Sequence, residues 1–597
     1  MQIRALMTLS IFVSLLMSCS KPTENQAAMP TPSNAQSGAV MDAEAEAIPE
    51  LPTHWTNSQP IGNGGGPVVQ KHLADGLANT ENWLLYGGGY DNHRHSPVTD
   101  LNPESVKDLE VAWAFPTGTH GQFEVSPTIY DGIMYVSSSY NRLFALNPET
   151  GELYWRYDHQ YPEDLRLCCG PVNRGVAISG DLVLMATLDA KIIAFNRLSG
   201  EIVWDTEIAP YALGYSATSM PMVVNGLAII GIAGGEFGVR GFFDAYDVET
   251  GKRVWRHYTV PGEGEPGIET WAGDSWKRGG APAWTSGAYD PETDTLYWTT
   301  GNPSPDWNGD LRAGDNLFSN SILALDPATG DQKWYFQFTP HDVWDYDGNT
   351  QIFLVDIRRN GKNVKAIVQA NRNGFFYILN RKTGVFLHAS PYVEQLNWAT
   401  IDETGRPIVN PDAMPVENSN FRTCPSNLGG MNGAWSGALN VKLGLAYIPS
   451  IEACQSFQKG LDIFIPGQSY MAGSPTLVDV EAGKSYGHLS AIDYNTGEIR
   501  WRYKDADPMM GGVVSTEGGV IFTGNQTGYA IALDSETGKE LWKFKMGSGV
   551  RSQPVVYQVK GKSYVAIGSG NWNGFAAFSG GPTNIPEGGH LFVFALK

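Results

Sequence analysis

Two adjacent cysteines, Cys168 and Cys169, form the most unusual reactive pair in the sequence. Neighbouring Cα atoms lie about 3.8 Å apart across a trans peptide bond, which is below the usual disulfide span of about 4.4–6.8 Å. A disulfide between them would therefore be strained, and strained features persist mainly where function requires them. The alternative is a pair of small buried thiols, so the surroundings of the pair must decide between the two.

Polar motifs surround the cysteine pair and continue along the chain. They are Cys168–Gly175, Ala233–Gly241, Ala283–Thr285, Thr300–Pro305, Thr339–Asp347 and Asn371–Gly374. In their order and spacing these motifs resemble the quinoprotein alcohol dehydrogenases, the family that uses pyrroloquinoline quinone (PQQ). The resemblance covers roughly residues 70 to 597, which is nearly the whole chain after its N-terminal segment.

The resemblance implies how the chain would hold its cofactor. In the family, the paired cysteines form a disulfide on one face of the quinone, and Trp284 corresponds to the residue on the other face. Arg174 corresponds to an arginine that binds a PQQ carboxylate, a charge-assisted contact. The cofactor-binding residues implied in this way are Glu124, Cys168, Cys169, Arg174, Thr218, Gly234, Gly235, Trp284, Arg372 and Asn432.

The same resemblance implies a catalytic pair and a metal site. Asp345 stands in the position of the general base, and Arg372 corresponds to the residue beside the reactive carbonyl. The implied metal ligands are Glu236, Asn302, Asp345 and Asp347. These side chains offer only oxygen atoms, which select a hard cation over zinc or copper.

Two positions bear on the identity of the metal. Asp347 adds a carboxylate that the resemblance associates with lanthanide-using methanol dehydrogenases, and Gly235 stands where calcium enzymes often have Ala. More charge and more room suit a larger and more highly charged ion, so we favour a lanthanide over calcium. Calcium remains the alternative, because the related membrane glucose dehydrogenases also place an Asp there.

A repeat along the chain predicts the elements that position these residues. Seven copies of a motif of the type A-x-[DN]-x-x-[TS]-G-x-x-x-W run from Ala145 to Trp542, with His388 replacing one Trp, and a degenerate eighth copy spans Leu101–Trp113. Asn or Asp opens a tight turn, Gly supplies a positive φ, and Trp can wedge between neighbouring sheets. We therefore predict an all-β fold, an eight-bladed β-propeller with tryptophan-docking repeats.

The N-terminal residues predict export and lipid anchoring. Arg4 precedes the apolar stretch Ala5–Met17, which is too short to span a bilayer, and Leu16–Cys19 resembles a bacterial lipobox. We predict a lipoprotein signal peptide (1–19), a flexible tether and extension (20–69) and the catalytic propeller (70–597). The mature chain would be periplasmic and anchored through Cys19, with Ser20 favouring the outer membrane.

The cysteine count is consistent with that compartment. Without Cys19, four cysteines remain, and an even count in an oxidising compartment suggests two disulfides. The family resemblance implies that the second joins Cys424 to Cys454. The sequence contains no Cys-x-x-Cys-His motif, so no covalently bound haem is predicted.

Together these features predict a PQQ-dependent dehydrogenase that oxidises a primary alcohol or an aldehyde and passes electrons to a soluble cytochrome c. The net charge of −21 argues against nucleic acid as a partner. The alternatives are a non-catalytic propeller scaffold of the outer-membrane assembly type and a glucose- or polyol-type quinoprotein. Met510 stands where the family commonly has Trp, so the size of the substrate is not predicted.

Overall fold

Eight sheets, each with four antiparallel blade strands and two of them with a fifth strand, form the body of the computed structural model. The structure describes residues 54–56, 61–62, 64–359, 361–477, 485–574 and 580–597. The first strands of neighbouring sheets contact one another, as β8 contacts β12 and β16 contacts β20, so the first strand of each sheet lies innermost around a common axis. The predicted all-β, eight-bladed β-propeller is therefore confirmed.

The first four blades follow the chain order. Their strands are β4 (Thr128–Tyr130), β5 (Ile133–Ser137), β6 (Arg142–Leu146) and β7 (Leu153–Asp158); β8 (Ala177–Ser179), β9 (Leu182–Ala186), β10 (Lys191–Asn196) and β11 (Ile202–Glu207); β12 (Met222–Val224), β13 (Leu227–Gly231), β14 (Phe242–Asp247) and β15 (Arg253–Tyr258); and β16 (Ala288–Asp290), β17 (Thr295–Thr299), β18 (Ser321–Leu325) and β19 (Gln332–Gln337).

The next three blades contain two inserted hairpins. Their strands are β20 (Phe353–Arg359), β21 (Lys362–Ala370), β22 (Phe375–Asn380) and β23 (Phe386–Pro391); β26 (Ala438–Asn440), β27 (Leu445–Glu452), β30 (Tyr486–Asp493) and β31 (Ile499–Asp505); and β32 (Val514–Thr516), β33 (Val520–Gly524), β34 (Tyr529–Asp534) and β35 (Glu540–Lys545). The hairpins are β24 (Ala399–Ile401) with β25 (Pro407–Val409), and β28 (Gln455–Lys459) with β29 (Gly473–Leu477).

The eighth blade joins the two ends of the folded chain. Its strands are β36 (Val555–Val559), β37 (Lys562–Ser569), β38 (His590–Leu596) and, as the outermost strand, β3 (Leu109–Pro116). Here the third and fourth strands are not consecutive in sequence, so no turn joins them. The eighth repeat keeps part of the motif. Trp113 occupies the outer-strand position opposite Val593, and Asn102 Oδ1 still accepts from the backbone N–H groups of Glu104 and Ser105, but Val106 stands in place of the turn Gly.

Short elements complete the described chain. The α-helix α1 spans Gln70–Asp75, and β2 (His95–Ser96) pairs in parallel with β32. The 3₁₀ helices are Gly76–Ala78, Ser105–Asp108, Ser139–Asn141, Tyr211–Leu213, Gly235–Phe237, Ile268–Thr270, Ser275–Arg278, Asp310–Arg312 and Pro411–Ala413. Among the described residues, no helix has both the length and the apolar character needed to cross a bilayer.

Part of the predicted N-terminal extension contacts the first two blades. Strand β1 (His54–Thr56) pairs with β7, and Val68 pairs with Gly180 at the edge of the second blade. The folded unit therefore begins before residue 70. The predicted signal peptide (1–19), Cys19 and residues 20–53 lie outside the described residues.

The repeat motif works as its residue types predict. In the first blade, Ala145 pairs with Trp155, and Asn147 Oδ1 accepts hydrogen bonds from the backbone N–H groups of Glu149 and Thr150. In five of the turns the Gly then meets the Trp of the preceding blade: a Cβ built on Gly330, where φ is +77°, would lie 2.7 Å from Cε3 of Trp255. The turn Gly therefore provides both the left-handed backbone and the space into which the Trp docks.

This docking predicts a measurable difference between two glycines. Gly330→Ala should lower the thermal midpoint by about 1–3 °C more than Gly561→Ala, because overpacking costs about 1–3 kcal/mol beyond the backbone strain. Gly561 is the matched control: its φ is +78°, but no atom lies within 4 Å of its added Cβ. Equal midpoints for the two variants would contradict the docking role.

The topology also determines on which of the two faces of the propeller each loop lies. Because neighbouring strands are antiparallel, the connection from second to third strand and the connection from fourth strand to the next blade emerge on the same face. The repeat turns, which join third to fourth strands, emerge on the opposite face. Every predicted site residue lies either between a second and a third strand or between a fourth strand and the next blade. The fold alone therefore places all of them on one face.

Candidate active site

A cavity of about 370 Å³ opens on that face. Gly235 and Asn302 lie directly behind its wall, since a Cβ on Gly235 would be 3.9 Å from Asn302 Oδ1. The other predicted site residues line the cavity itself: Glu124, Cys168, Cys169, Arg174, Thr218, Gly234, Glu236, Trp284, Asp345, Asp347, Arg372 and Asn432. A larger cavity of about 570 Å³, lined by Tyr90, His93 and Asp290 among others, contains none of them.

The cysteine pair forms one wall of the cavity as a disulfide. Cys168 and Cys169 are bonded with their Cα atoms 3.8 Å apart, and Cys424 is bonded to Cys454 across a separation of 30 residues. Disulfide sulfurs carry no ionisable thiol, so the close approach of Cys169 Sγ to Glu236 Oε1, at 4.0 Å, does not create a soft metal site. Of these three side chains, only Glu236 offers a hard metal donor.

A basic group lies between Trp284 and the carboxylate of Glu124. The Arg174 guanidinium is 4.7 Å from the centre of the Trp284 ring. It donates to Thr218 Oγ1 at 2.7 Å, and its Nη2 lies 2.8 Å from Glu124 Oε2. Arg174 Nε is buried and has no hydrogen-bond partner among the described residues. This end of the cavity can therefore still donate a hydrogen bond to an anionic ligand.

Glu124 also faces a second arginine that the sequence analysis missed. Arg551 Nη1 lies 3.8 Å from Glu124 Oε1, and burial lowers the pKa of the Arg551 guanidinium to about 10. Arg551 precedes β36, the innermost strand of its blade, as Glu124 and Arg174 precede theirs. Its position just before the innermost strand of a blade was the signal that could have identified Arg551 from the sequence.

An alternation of side chains directs two carboxylates into the cavity. Trp344 and Tyr346 are buried in the wall, where Trp344 Nε1 donates to Ala413 O at 2.7 Å and Tyr346 OH donates to Pro425 O at 2.8 Å. Asp345 and Asp347, which alternate with them, line the cavity. Both have left-handed backbone, with φ of +59° and +47°, a conformation that is costly for residues other than glycine.

Arg372 joins these two carboxylates. Its Nη1 contacts Asp347 Oδ2, and its Nη2 lies 3.3 Å from Asp345 Oδ2. Asn427, another residue the sequence analysis missed, donates to the same Asp345 oxygen at 3.0 Å. Asp347 Oδ1 accepts a 2.9 Å hydrogen bond from the backbone N–H of Asn302. Asp345, Asp347, Arg372 and the backbone of Asn302 thus form one connected group.

The electrostatics of this group leave it short of positive charge. Burial raises the pKa of Glu236, and the charge of Asp347 raises it further. Burial also raises the pKa of Asp347, and raises that of Asp345 well above its usual range, although Arg372 opposes both shifts. Asp347 is buried and Glu236 and Asp345 are half-buried, and the single guanidinium of Arg372 opposes the charge of all three. A bound cation would therefore relieve their repulsion.

Comparison with known proteins identifies the family. The family described as "PQQ: Glucose/ethanol/alcohol dehydrogenase, beta-propeller domain" matches residues 83–394 and 469–565. Quinoprotein alcohol dehydrogenase PedH from Pseudomonas putida is 41% identical over 566 residues, covering 89% of this chain and 93% of the relative. The chain belongs to the quinoprotein alcohol dehydrogenases. It is therefore an enzyme of the predicted family, and a non-catalytic scaffold is excluded.

Two further relatives of this quinoprotein have names that include a metal. The lanthanide-dependent methanol dehydrogenase of Methylorubrum extorquens is 35% identical, covering 86% of this chain and 91% of the relative. The solved structure of a europium-containing methanol dehydrogenase superposes with a TM-score of 0.84 at 33% identity, covering 88% of this chain and all of that one. The fold of the quinoprotein is thus that of solved members of the family.

Met510 lies behind the cavity of this quinoprotein. It is fully buried, it does not line the cavity, and its Sδ lies 3.1 Å from Arg551 Nη2. The replacement of the usual Trp therefore affects the packing beneath Arg551.

Proposed function

We propose that this quinoprotein oxidises a primary alcohol, with an aldehyde as the alternative substrate, and that Asp345 is its general base. One observation carries the proposal: the alternation with Trp344 and Tyr346 directs Asp345 and Asp347 into a cavity where both meet Arg372. A carboxylate held beside a guanidinium in a cavity suits removal of a hydroxyl proton.

The residues of the cavity fit PQQ, a planar molecule with three carboxylates. Arg174 Nε is a buried donor without a hydrogen-bond partner among the described residues, and Trp284 and the Cys168–Cys169 disulfide offer two flat surfaces. We assign Arg174, Thr218 and Asn432 to the polar edges of the cofactor, and Gly234 and Gly235 to backbone contacts. Glu124 is paired with Arg174 and would position that guanidinium.

The residues also fit a polyvalent metal ion. Glu236, Asn302, Asp345 and Asp347 contribute only oxygen donors, and their carboxylates exceed the single positive charge of Arg372. We propose a lanthanide in preference to calcium, because the third carboxylate suits a trivalent ion. The names of the lanthanide-dependent and europium-containing relatives support this choice.

When bound, PQQ with its metal supplies the two-electron oxidising chemistry, with the metal acting as a Lewis acid. The chain's own residues supply the proton acceptor. Hydrogen bonds from Arg372 and Asn427 reach Asp345 Oδ2, and no described residue bonds to Oδ1, so we assign Oδ1 as the atom that receives the substrate proton. Arg372 would fix the orientation of that carboxylate and stabilise it as an anion.

Reconstitution tests the proposed function. Metal-free protein would be supplied with PQQ plus either calcium or a light lanthanide and assayed with a dye acceptor on primary alcohols. We expect turnover only when both components are present, and faster turnover with the lanthanide. Bound metal and the absorption of PQQ would be measured on the same samples. Loading of both without oxidation of any alcohol or aldehyde would contradict the proposal.

We further propose that electrons pass to a soluble cytochrome c. The sequence has no Cys-x-x-Cys-His motif of its own for haem, and its net charge of −21 would attract a basic partner. A rate of cytochrome reduction that falls steeply with added salt would support this partner.

Periplasmic anchoring through Cys19 is the last part of the proposal. Cys19→Ala should move the protein from the membrane fraction to the soluble periplasmic fraction, because it removes the residue that receives the lipid. Ser20→Asp is the matched control: it keeps Cys19, so the protein should stay with membranes. An unchanged distribution of Cys19→Ala between the fractions would contradict lipidation.

A further inference from the structure

Asp306 is a carboxylate in the cavity that the proposed mechanism does not use. Its side chain lines the cavity and is 2% exposed. Its Oδ1 is buried and has no hydrogen-bond partner among the described residues. Buried polar atoms are almost always hydrogen-bonded, because leaving one unpaired forfeits its hydration without compensation. An unpaired acceptor on a side chain that lines a cavity is therefore suited to a donor on a ligand.

The surrounding loop fixes the backbone next to Asp306 but donates no hydrogen bond to its Oδ1. On one side, Arg312 donates to Pro305 O from Nε at 3.2 Å and from Nη2 at 2.9 Å. On the other side, the Trp307 N–H donates to Met471 O at 3.1 Å. The remaining hydrogen bonds of Arg312 go to Asn316 Oδ1 and Asp342 O, not to the Asp306 carboxylate. The backbone on both sides of Asp306 is thus fixed while its carboxylate remains available.

The location of Asp306 relates it to the proposed base. Of the neighbouring charges, those of Asp345 and Glu236 act most strongly on it and, together with burial, raise its pKa well above the usual range. Apolar side chains of Trp307, Met471 and Phe237 also line the cavity. A substrate whose hydroxyl faces Asp345 would therefore lie between an apolar wall and one further acceptor.

We propose that Asp306 is a substrate-binding residue that accepts a hydrogen bond from the second hydroxyl of a diol. This role rests on the proposed alcohol oxidation and narrows its substrate class. The second hydroxyl is bound and keeps its proton, whereas the first carbinol would lose a proton to Asp345 and a hydride from carbon to PQQ, the two-electron oxidant of the proposed function. The product is then a hydroxyaldehyde. Asp306 enters no bond-breaking step and acts on substrate affinity and orientation.

Pairs of substrates that exchange a hydroxyl for a methyl group test this role. They are 1,2-ethanediol against 1-propanol, 1,3-propanediol against 1-butanol, and 1,4-butanediol against 1-pentanol. In the reconstituted holoenzyme we expect kcat/KM to favour the diol of at least one pair. Asp306→Leu, which keeps the side-chain size but removes the acceptor, should lower that diol-to-alkanol ratio by about tenfold or more. Asp306→Asn, which keeps an uncharged acceptor, should lower it less.

Asp310→Asn is the matched control, because Asp310 lies in the same connection but is 64% exposed and paired with Lys459. Its diol-to-alkanol ratio should equal that of the wild type. An equal loss of kcat/KM for both members of each pair in the Asp306 variants would overturn the proposal. A weakened affinity for the metal, measured by terbium titration, would instead make Asp306 a metal ligand and also overturn it. If Asp306→Leu does not fold, the diol-to-alkanol ratio of kcat/KM in Asp306→Asn still tests the proposal.

Failure of this inference can be distinguished from failure of the proposed function. A wild-type holoenzyme that oxidises alkanols but shows no diol preference sensitive to Asp306 contradicts only the diol role. A holoenzyme that oxidises neither alkanols nor diols contradicts both proposals.

Discussion

Asp345→Asn is expected to lower kcat by about 10²–10⁴-fold, the range that a positioned general base contributes. The amide keeps the size of the side chain and can still accept the hydrogen bonds that Arg372 and Asn427 donate to Oδ2. It cannot take up the hydroxyl proton. The measurement is kcat at saturating alcohol, with bound PQQ and bound metal determined on the same preparation, because Asp345 is also a proposed ligand.

Two comparisons make that result interpretable. Asp310→Asn removes a carboxylate from the same face, and we expect its kcat to match that of the wild type because Asp310 is exposed and lies outside the cavity. A thermal midpoint of Asp345→Asn close to that of the wild type would show that the fold is intact. If Asp345→Asn holds PQQ and metal normally and turns over within twofold of the wild-type rate, Asp345 is not the base.

Asp347→Ala is expected to weaken lanthanide binding by more than about 100-fold, the upper end of the cost of losing even an outer-shell partner. The substitution removes one of three carboxylates around the proposed metal position. It also deprives Arg372 of its closest ion pair and the Asn302 N–H of its acceptor. Calcium affinity should fall less, because a divalent ion gains less from the lost charge. Terbium luminescence and chelator competition would measure the two affinities.

Asp347→Asn separates charge from geometry. The amide oxygen can still accept from the Asn302 N–H, whereas the amide nitrogen cannot accept from Arg372, so the negative charge and that one hydrogen bond are lost. We expect this variant to retain calcium binding better than Asp347→Ala while still losing much of its lanthanide affinity. Equal losses for the two metals in both variants would remove the argument that Asp347 selects a trivalent ion.

The sequence alone determined the architecture and twelve of the residues that line the cavity. The repeat specifies an Asx turn, a glycine at positive φ and a Trp opposite the third strand. Each of these features depends on residues within one stretch of eleven, such as Ala145–Trp155. The number of repeats gave the number of blades. The family resemblance then supplied site residues that the antiparallel order of strands necessarily brings to one face.

Tertiary structure decided what depends on contacts between distant segments. Arg551 meets Glu124 across a separation of more than four hundred residues, and only closure of the ring through β3 and β38 brings the two together. The unpaired Oδ1 of Asp306 is likewise invisible in sequence, since it depends on where Arg312 directs its hydrogen bonds. Turns and strands follow from neighbouring residues, whereas the pairing and burial of charges follow from the packing of separate blades.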